Sequence, residues 1–84
     1  MTRAWDPVER QIAALVAEVG ELEPDDVVPG ATLADLEVDS LDLVEIAVEV
    51  ERAFGVRFQD RDLKGVTTVE RLAELARARG AQAA

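Results

Sequence analysis

Ser40 is the chain's only serine, and it stands between Asp39 and Leu41 at the head of a run of regularly spaced apolar residues. A serine hydroxyl is a weak nucleophile until a base takes its proton. The chain has no histidine and no cysteine, so neither a Ser-His-Asp arrangement nor a thiol nucleophile can be assembled from it. The same absences remove thiol redox chemistry, disulfide staples and zinc sites that need those ligands. Left to itself, a serine here reads as a helix N-cap. As a reactive group it is not a self-sufficient nucleophile. The many carboxylates invite a calcium loop, but no acidic run from Asp35 or Asp39 puts a glycine sixth and a glutamate twelfth, as such a loop requires.

The carboxylates are unevenly placed. The formal net charge is −9. Between Gln11 and Glu51 lie twelve acidic residues and no basic one, a net of −12, while the remainder carries nine basic against six acidic residues, a net of +3. Phosphate-bearing partners need the opposite sign, so nucleic acid and anionic membrane are excluded as partners. Basic protein surfaces are favoured, because long-range attraction speeds their encounter.

The elements that hold Ser40 follow from the punctuation. Eighty-four residues allow one small domain, and 49% hydrophobic with 4% aromatic residues requires a core of Leu, Val, Ile and Ala. Asp6-Pro7-Val8-Glu9 is a capping box with proline at the first helical position. Val8, Ile12, Leu15, Val16 and Val19 then recur at helical spacing until Gly20 ends the helix. A long connection from 21 to about 39, broken by Pro24, Pro29 and Gly30, exceeds the usual loop length. It is expected to pack Val27, Val28, Leu33 and Leu36 on the core, with a short helical turn after Thr32. Asp39 or Ser40 opens a second helix that runs to Phe54, where Gly55 supplies a left-handed cap. Residues 57–62 read as irregular and 62–64 as a short third helix. Thr67 and Glu70 form the box of a last helix, with Val69, Leu72, Ala73, Leu75 and Ala76 on its apolar face and Gly80 as its stop. No segment alternates with period two, so no sheet is expected. The fold class is all-α, a small antiparallel four-helix bundle of three main helices and one short one, with a long loop between the first and second helices. No window approaches the roughly 20 apolar residues of a membrane span, and the first ten residues lack a signal-peptide apolar stretch. A cytoplasmic, monomeric protein is expected.

The second helix carries more apolar residues than one face needs. Leu43, Ile46, Ala47, Val50 and Phe54 form a core stripe by their spacing. Leu41, Val44 and Val48 form a second row, flanked by Asp42, Glu45, Glu49 and Glu51. Either the bundle wraps this helix and buries both rows, or the second row is an exposed ridge in an acidic frame, suited to docking on basic partners.

The stretch Leu36-Glu37-Val38-Asp39-Ser40-Leu41-Asp42-Leu43-Val44-Glu45 resembles the phosphopantetheine attachment motif of acyl carrier proteins, an Asp-Ser-Leu at the start of the second helix. The likeness extends to the long loop with Leu33 and Leu36, the run to Phe54, and Thr67-Thr68-Val69 before the last helix. It covers about residues 6–79, and 80–84 is expected to be a frayed tail. The chain departs from the family pattern at Glu37, where a glycine is usual three positions before the serine, and at Arg52, which interrupts the acidic face. These departures bear on partner choice and leave Asp39, Ser40 and Leu41 untouched.

The resemblance implies a non-catalytic carrier bearing a 4'-phosphopantetheine arm from coenzyme A on Ser40, with Asp39 and Leu41 completing the attachment motif. Asp42, Val44, Glu45, Val48 and Glu49 would form the docking face. The implied partners are a phosphopantetheinyl transferase and acyl-processing enzymes such as a ketosynthase or acyltransferase, in polyketide or fatty-acid assembly. A peptidyl or aminoacyl carrier more often has glycine pairs before the serine and is less acidic, so Asp39-Ser40-Leu41 with a charge of −9 favours the acyl type. An unmodified acidic adaptor is the alternative from a different class, and it would gain no mass from a transferase.

Overall fold

The computed structural model describes residues 4–82. Asp6 opens α1 (Pro7–Val19) through a reciprocal cap: the Glu9 N–H donates to Asp6 Oδ1 at 2.8 Å, and the Asp6 N–H donates to Glu9 Oε1 at 3.0 Å. Val8, Ile12, Ala13, Val16 and Ala17 face the core. At the far end the Leu22 N–H donates to the Ala17 carbonyl and the Glu21 N–H to that of Glu18, a Schellman closure. Gly20 ends the helix in right-handed geometry (φ −80°), and Glu21 takes the positive φ of 54°. Glycine serves at 20 through its lack of a side chain: a Cβ there would lie 3.1 Å from both the Leu22 side chain and the Val16 carbonyl.

The long connection is structured. A 3-10 turn occupies Pro24–Asp26. Val27 is buried, whereas Val28, expected in the core, is 45% exposed. Adjacent residues of an extended segment point to opposite sides, so only one of the pair can face inward. The turn expected after Thr32 forms, as a single capped turn. Thr32 Oγ1 accepts from the Asp35 N–H at 3.0 Å, and the Val38 N–H donates to the Leu33 carbonyl at 2.9 Å. Leu33 and Val38 are both buried, the apolar contact that accompanies a Schellman closure. Glu37 sits at its left-handed position with φ 59°. That is the position where the carrier family usually has glycine.

The second helix, α2 (Ser40–Phe54), ends at Gly55 in left-handed geometry, as expected. The short helix α3 covers Asp60–Leu63 rather than 62–64. Its start moves earlier because the Gln59 N–H donates to Asp62 Oδ2 at 2.8 Å, closing the turn two residues sooner. The last helix, α4 (Val69–Ala78), is capped by Thr68, whose Oγ1 accepts from the Arg71 N–H at 3.1 Å. The expected box between Thr67 and Glu70 does not form. Glu70 Oε2 instead accepts from the Gly30 N–H at 2.8 Å, and the Thr67 carbonyl accepts from the Leu33 N–H. These two bonds, with an isolated bridge between Thr32 and Thr68, sew the long connection to the start of α4. Among the described residues that bridge is the only strand-like pairing and no strand forms.

The helix α1 packs on both α2 and α4. Arg77 at the end of α4 pairs with Asp6 at the start of α1 at 2.9 Å, so those two helices run antiparallel. Arg79 reaches Asp62 at 2.7 Å and ties α4 to α3. From α4, Val69, Leu72, Ala73 and Ala76 are buried, with Leu75 half-buried at the margin. The tail expected to fray from residue 80 begins packed: Ala81 is buried and its N–H donates to the Ala76 carbonyl at 2.9 Å. Residues 83 and 84 lie outside the described residues. Among the described residues no helix is long and apolar enough to cross a membrane.

Candidate functional site

Asp39 caps α2, which decides between the two openings that the sequence allowed. Its backbone is extended, Oδ1 accepts from the Asp42 N–H at 2.9 Å, and its own N–H donates to Asp42 Oδ2 at 3.4 Å. Two acids therefore satisfy backbone donors at a helix start, where the dipole favours negative charge. Ser40 is thereby released from capping. It occupies the first helical position, is exposed, and among the described residues makes no hydrogen bond with its side chain. The turn closed by Glu37 and the burial of Val38 aim the chain so that α2 begins at this point on the surface.

Ser40 lies between two clefts. One, of about 250 Å³, runs under the loop and is lined by Leu33, Ala34, Val38, Asp39, Leu43, Val66 and Thr67 as well as Ser40. The other, of about 310 Å³, runs toward α3 and is lined by Ser40, Leu43, Val44, Asp60, Leu63 and Lys64. Leu43, placed on the core stripe by its spacing, walls both clefts and is only half-buried.

The two apolar rows of α2 separate. Ile46 and Val50 are fully buried and Ala47 nearly so, while Leu41 is 79%, Val44 53% and Val48 39% exposed. The reading in which both rows are core is wrong. Phe54, expected on the core stripe, is half-buried and packs at the core's edge. It falls in the last turn of α2. Glu45 is exposed beside the ridge, Asp42 and Glu49 are half-exposed, and Arg52 pairs with Glu49 at 3.5 Å. Asp39, Ser40, Leu41, Asp42, Val44, Glu45, Val48 and Glu49 thus all lie along α2 and its cap, as expected. The clefts also draw in Asp60, Leu63, Lys64 and Thr67, which sequence reasoning passed over, because only the fold brings residues 60–67 beside residue 40.

A family model described as the phosphopantetheine attachment site matches residues 10–76. The meromycolate extension acyl carrier protein of Mycolicibacterium smegmatis is 44% identical over 70 residues, covering 82% of this chain and 71% of that protein. The acyl carrier protein of Rhodococcus erythropolis is 39% identical over 70 residues, 82% of this chain and 77% of its own. The meromycolate extension acyl carrier protein of Mycobacterium tuberculosis (strain H37Rv) is 44% identical over 59 residues, and there the chain spans about half the relative's length (51%). The matched region takes in the cap, the helix start and both clefts. The chain therefore belongs to the acyl carrier proteins, the family whose members bear phosphopantetheine as a covalent prosthetic group.

Proposed function

We propose that Ser40 Oγ is the attachment point of the phosphopantetheine arm and that the exposed row of α2 is the docking face for the enzymes that load and unload it. The observation that carries this reading is an exposed hydroxyl, without a hydrogen bond among the described residues, at the first position of a 15-residue helix. These residues fit the group. Oγ stands at the positive end of the α2 dipole, which favours an anion there, and two clefts with largely apolar walls stand open beside it. In the loading step Ser40 Oγ attacks the phosphate of coenzyme A that bears pantetheine. The Oγ–P bond forms, the bond to adenosine bisphosphate breaks, and the Oγ proton passes to a base of the transferase, since this chain has no histidine to take it. Once attached, the arm supplies the thiol that the polypeptide lacks, on which acyl groups are carried as thioesters.

The chain's own residues catalyse none of these steps. Asp39 and Asp42 hold the helix start, and Leu41, Val44 and Val48 offer apolar contact. Glu45 and Glu49 steer basic partner surfaces of a transferase, ketosynthase or acyltransferase. A monomeric, cytoplasmic carrier in polyketide or fatty-acid assembly fits the acidic charge. The meromycolate extension in the names of the mycobacterial relatives supports the fatty-acid side of that reading. Incubation with coenzyme A, magnesium and a broad-specificity transferase should add one phosphopantetheine mass, and Ser40→Ala should add none. Modification at Thr32, Thr67 or Thr68 instead would sink the assignment.

A further inference from the structure

We propose that Lys64 is a positioning residue for the arm: its ammonium pairs with the phosphodiester on Ser40 and draws the start of the arm into the cleft between α2 and α3. This rests on Ser40 being the attachment point. Lys64 is the chain's only lysine, and it lines the same cleft as Ser40, with Leu43, Val44 and Leu63 as apolar walls. The cleft on the other side of Ser40 has no basic residue in its lining. Of the two clefts beside Ser40, only the one toward α3 has a cation in its lining.

The surrounding charge makes that cation count. Asp39 and Asp42 flank Ser40, Asp60 shares the cleft rim, and the chain from Gln11 to Glu51 is otherwise without a base. A phosphodiester placed there adds a negative charge to a negative field. Lys64 is exposed and, among the described residues, makes no ion pair; the same holds for Arg10, Arg57 and Arg61, but none of these lines the cleft, and Arg52, Arg71, Arg77 and Arg79 are each engaged by a carboxylate. Its charge is uncommitted. A lysine ammonium is a point charge on a flexible stem with rotatable donors, so it can follow a phosphate that swings about the Ser40 side chain. Its stem can lie along Leu63 while the head stays in water.

The single lysine makes the test direct. Amine-specific reductive methylation at low salt, read by peptide mass spectrometry, follows Lys64 with the N-terminal amine as internal reference. The forms compared are apo, holo, acetyl-loaded and malonyl-loaded protein, each with its Ser40 mass established first. All three arm-bearing forms should label Lys64 roughly two- to fourfold more slowly than apo, with the reference unchanged and the difference fading at ~0.5 M salt. The 31P resonance of the holo protein should move in Lys64→Gln and stay in Lys64→Arg, a pattern that a merely structural lysine would not produce. Equal Lys64 rates in apo and holo protein would overturn the proposal. So would slowing confined to the malonyl-loaded form, which would assign Lys64 to a cargo carboxylate. No mass gain at Ser40 would overturn both this and the attachment reading, whereas a mass gain with an unmoved Lys64 overturns this proposal alone.

Discussion

Glu37→Gly should stabilise this protein. Glu37 is the left-handed residue of the turn that delivers Ser40, with φ 59°. For a residue with a Cβ that conformation costs roughly 1–2 kcal/mol, because the Cβ crowds the following carbonyl. Glycine removes the cost but adds freedom to the unfolded chain, which returns about 0.4–1 kcal/mol. The net expectation is a gain of about 0.5–1 kcal/mol. For a chain of this size, 1 kcal/mol shifts Tm by about 4–8 °C, so a rise of about 2–8 °C is expected. The substitution also removes one carboxylate from a stretch of net −12, and relief of repulsion could produce a rise by itself. Glu37→Gln separates the two, since it removes the charge and keeps the Cβ. Thermal melts of the three proteins at low and high salt decide the matter. If Glu37→Gly melts no higher than Glu37→Gln, the left-handed strain is not there. The Glu37 side chain is exposed and the turn's hydrogen bonds at 37 are all backbone, so the turn itself should survive the change.

The two rows of α2 should respond oppositely to truncation. Ile46→Ala removes a fully buried side chain and should cost roughly 2–5 kcal/mol, enough to unfold much of a domain this small. Val48→Ala should cost under about 1 kcal/mol while slowing loading by the transferase, and equal melting of the two variants would refute the exposed ridge. Glu45→Lys with Glu49→Lys should leave Tm unchanged or raised and slow transfer to partner enzymes at low ionic strength; rates insensitive to the change there would refute charge steering. The Glu9 backbone N–H, aided by the Arg77 guanidinium, holds the Asp6 carboxyl below its ordinary 3.8. A depressed folded pKa means that this stability is present above the ordinary value and is lost as pH falls through the folded one. Asp6→Asn, which can still cap α1, should therefore flatten the acid limb of a Tm-against-pH curve, and an unchanged limb would refute the linkage.

Much of this protein was legible because its decisive signals are local. The limits of α1 and α2 follow from caps made within three residues, Asp6 with Glu9 and Asp39 with Asp42, and from Gly55, where only backbone sterics matter. The Asp-Ser-Leu motif is equally local, and so the attachment candidate and the docking row could be read along one helix. The fold had to decide wherever two local solutions were equally good. Thr67 and Thr68 are both competent caps. The choice fell to Thr68 because the Thr67 carbonyl and the Glu70 carboxylate are occupied by Leu33 and by Gly30, the latter forty residues away in sequence. Val27 and Val28 have the same propensity, and only the direction of the chain as it crosses the core sorted them. Periodicity found two apolar rows on α2 but could not say how much of the helix its neighbours cover. Packing of α1 against α2 buried Ile46 and Val50 and left Leu41, Val44 and Val48 in solvent. Lys64 carried no signal in sequence, since a lysine at the end of a short surface helix is ordinary. It acquires meaning only because the chain returns through α3 to stand beside Ser40. Hydrogen bonds between near neighbours are written in the sequence, whereas proximity between residues far apart in the chain exists only once the core has formed.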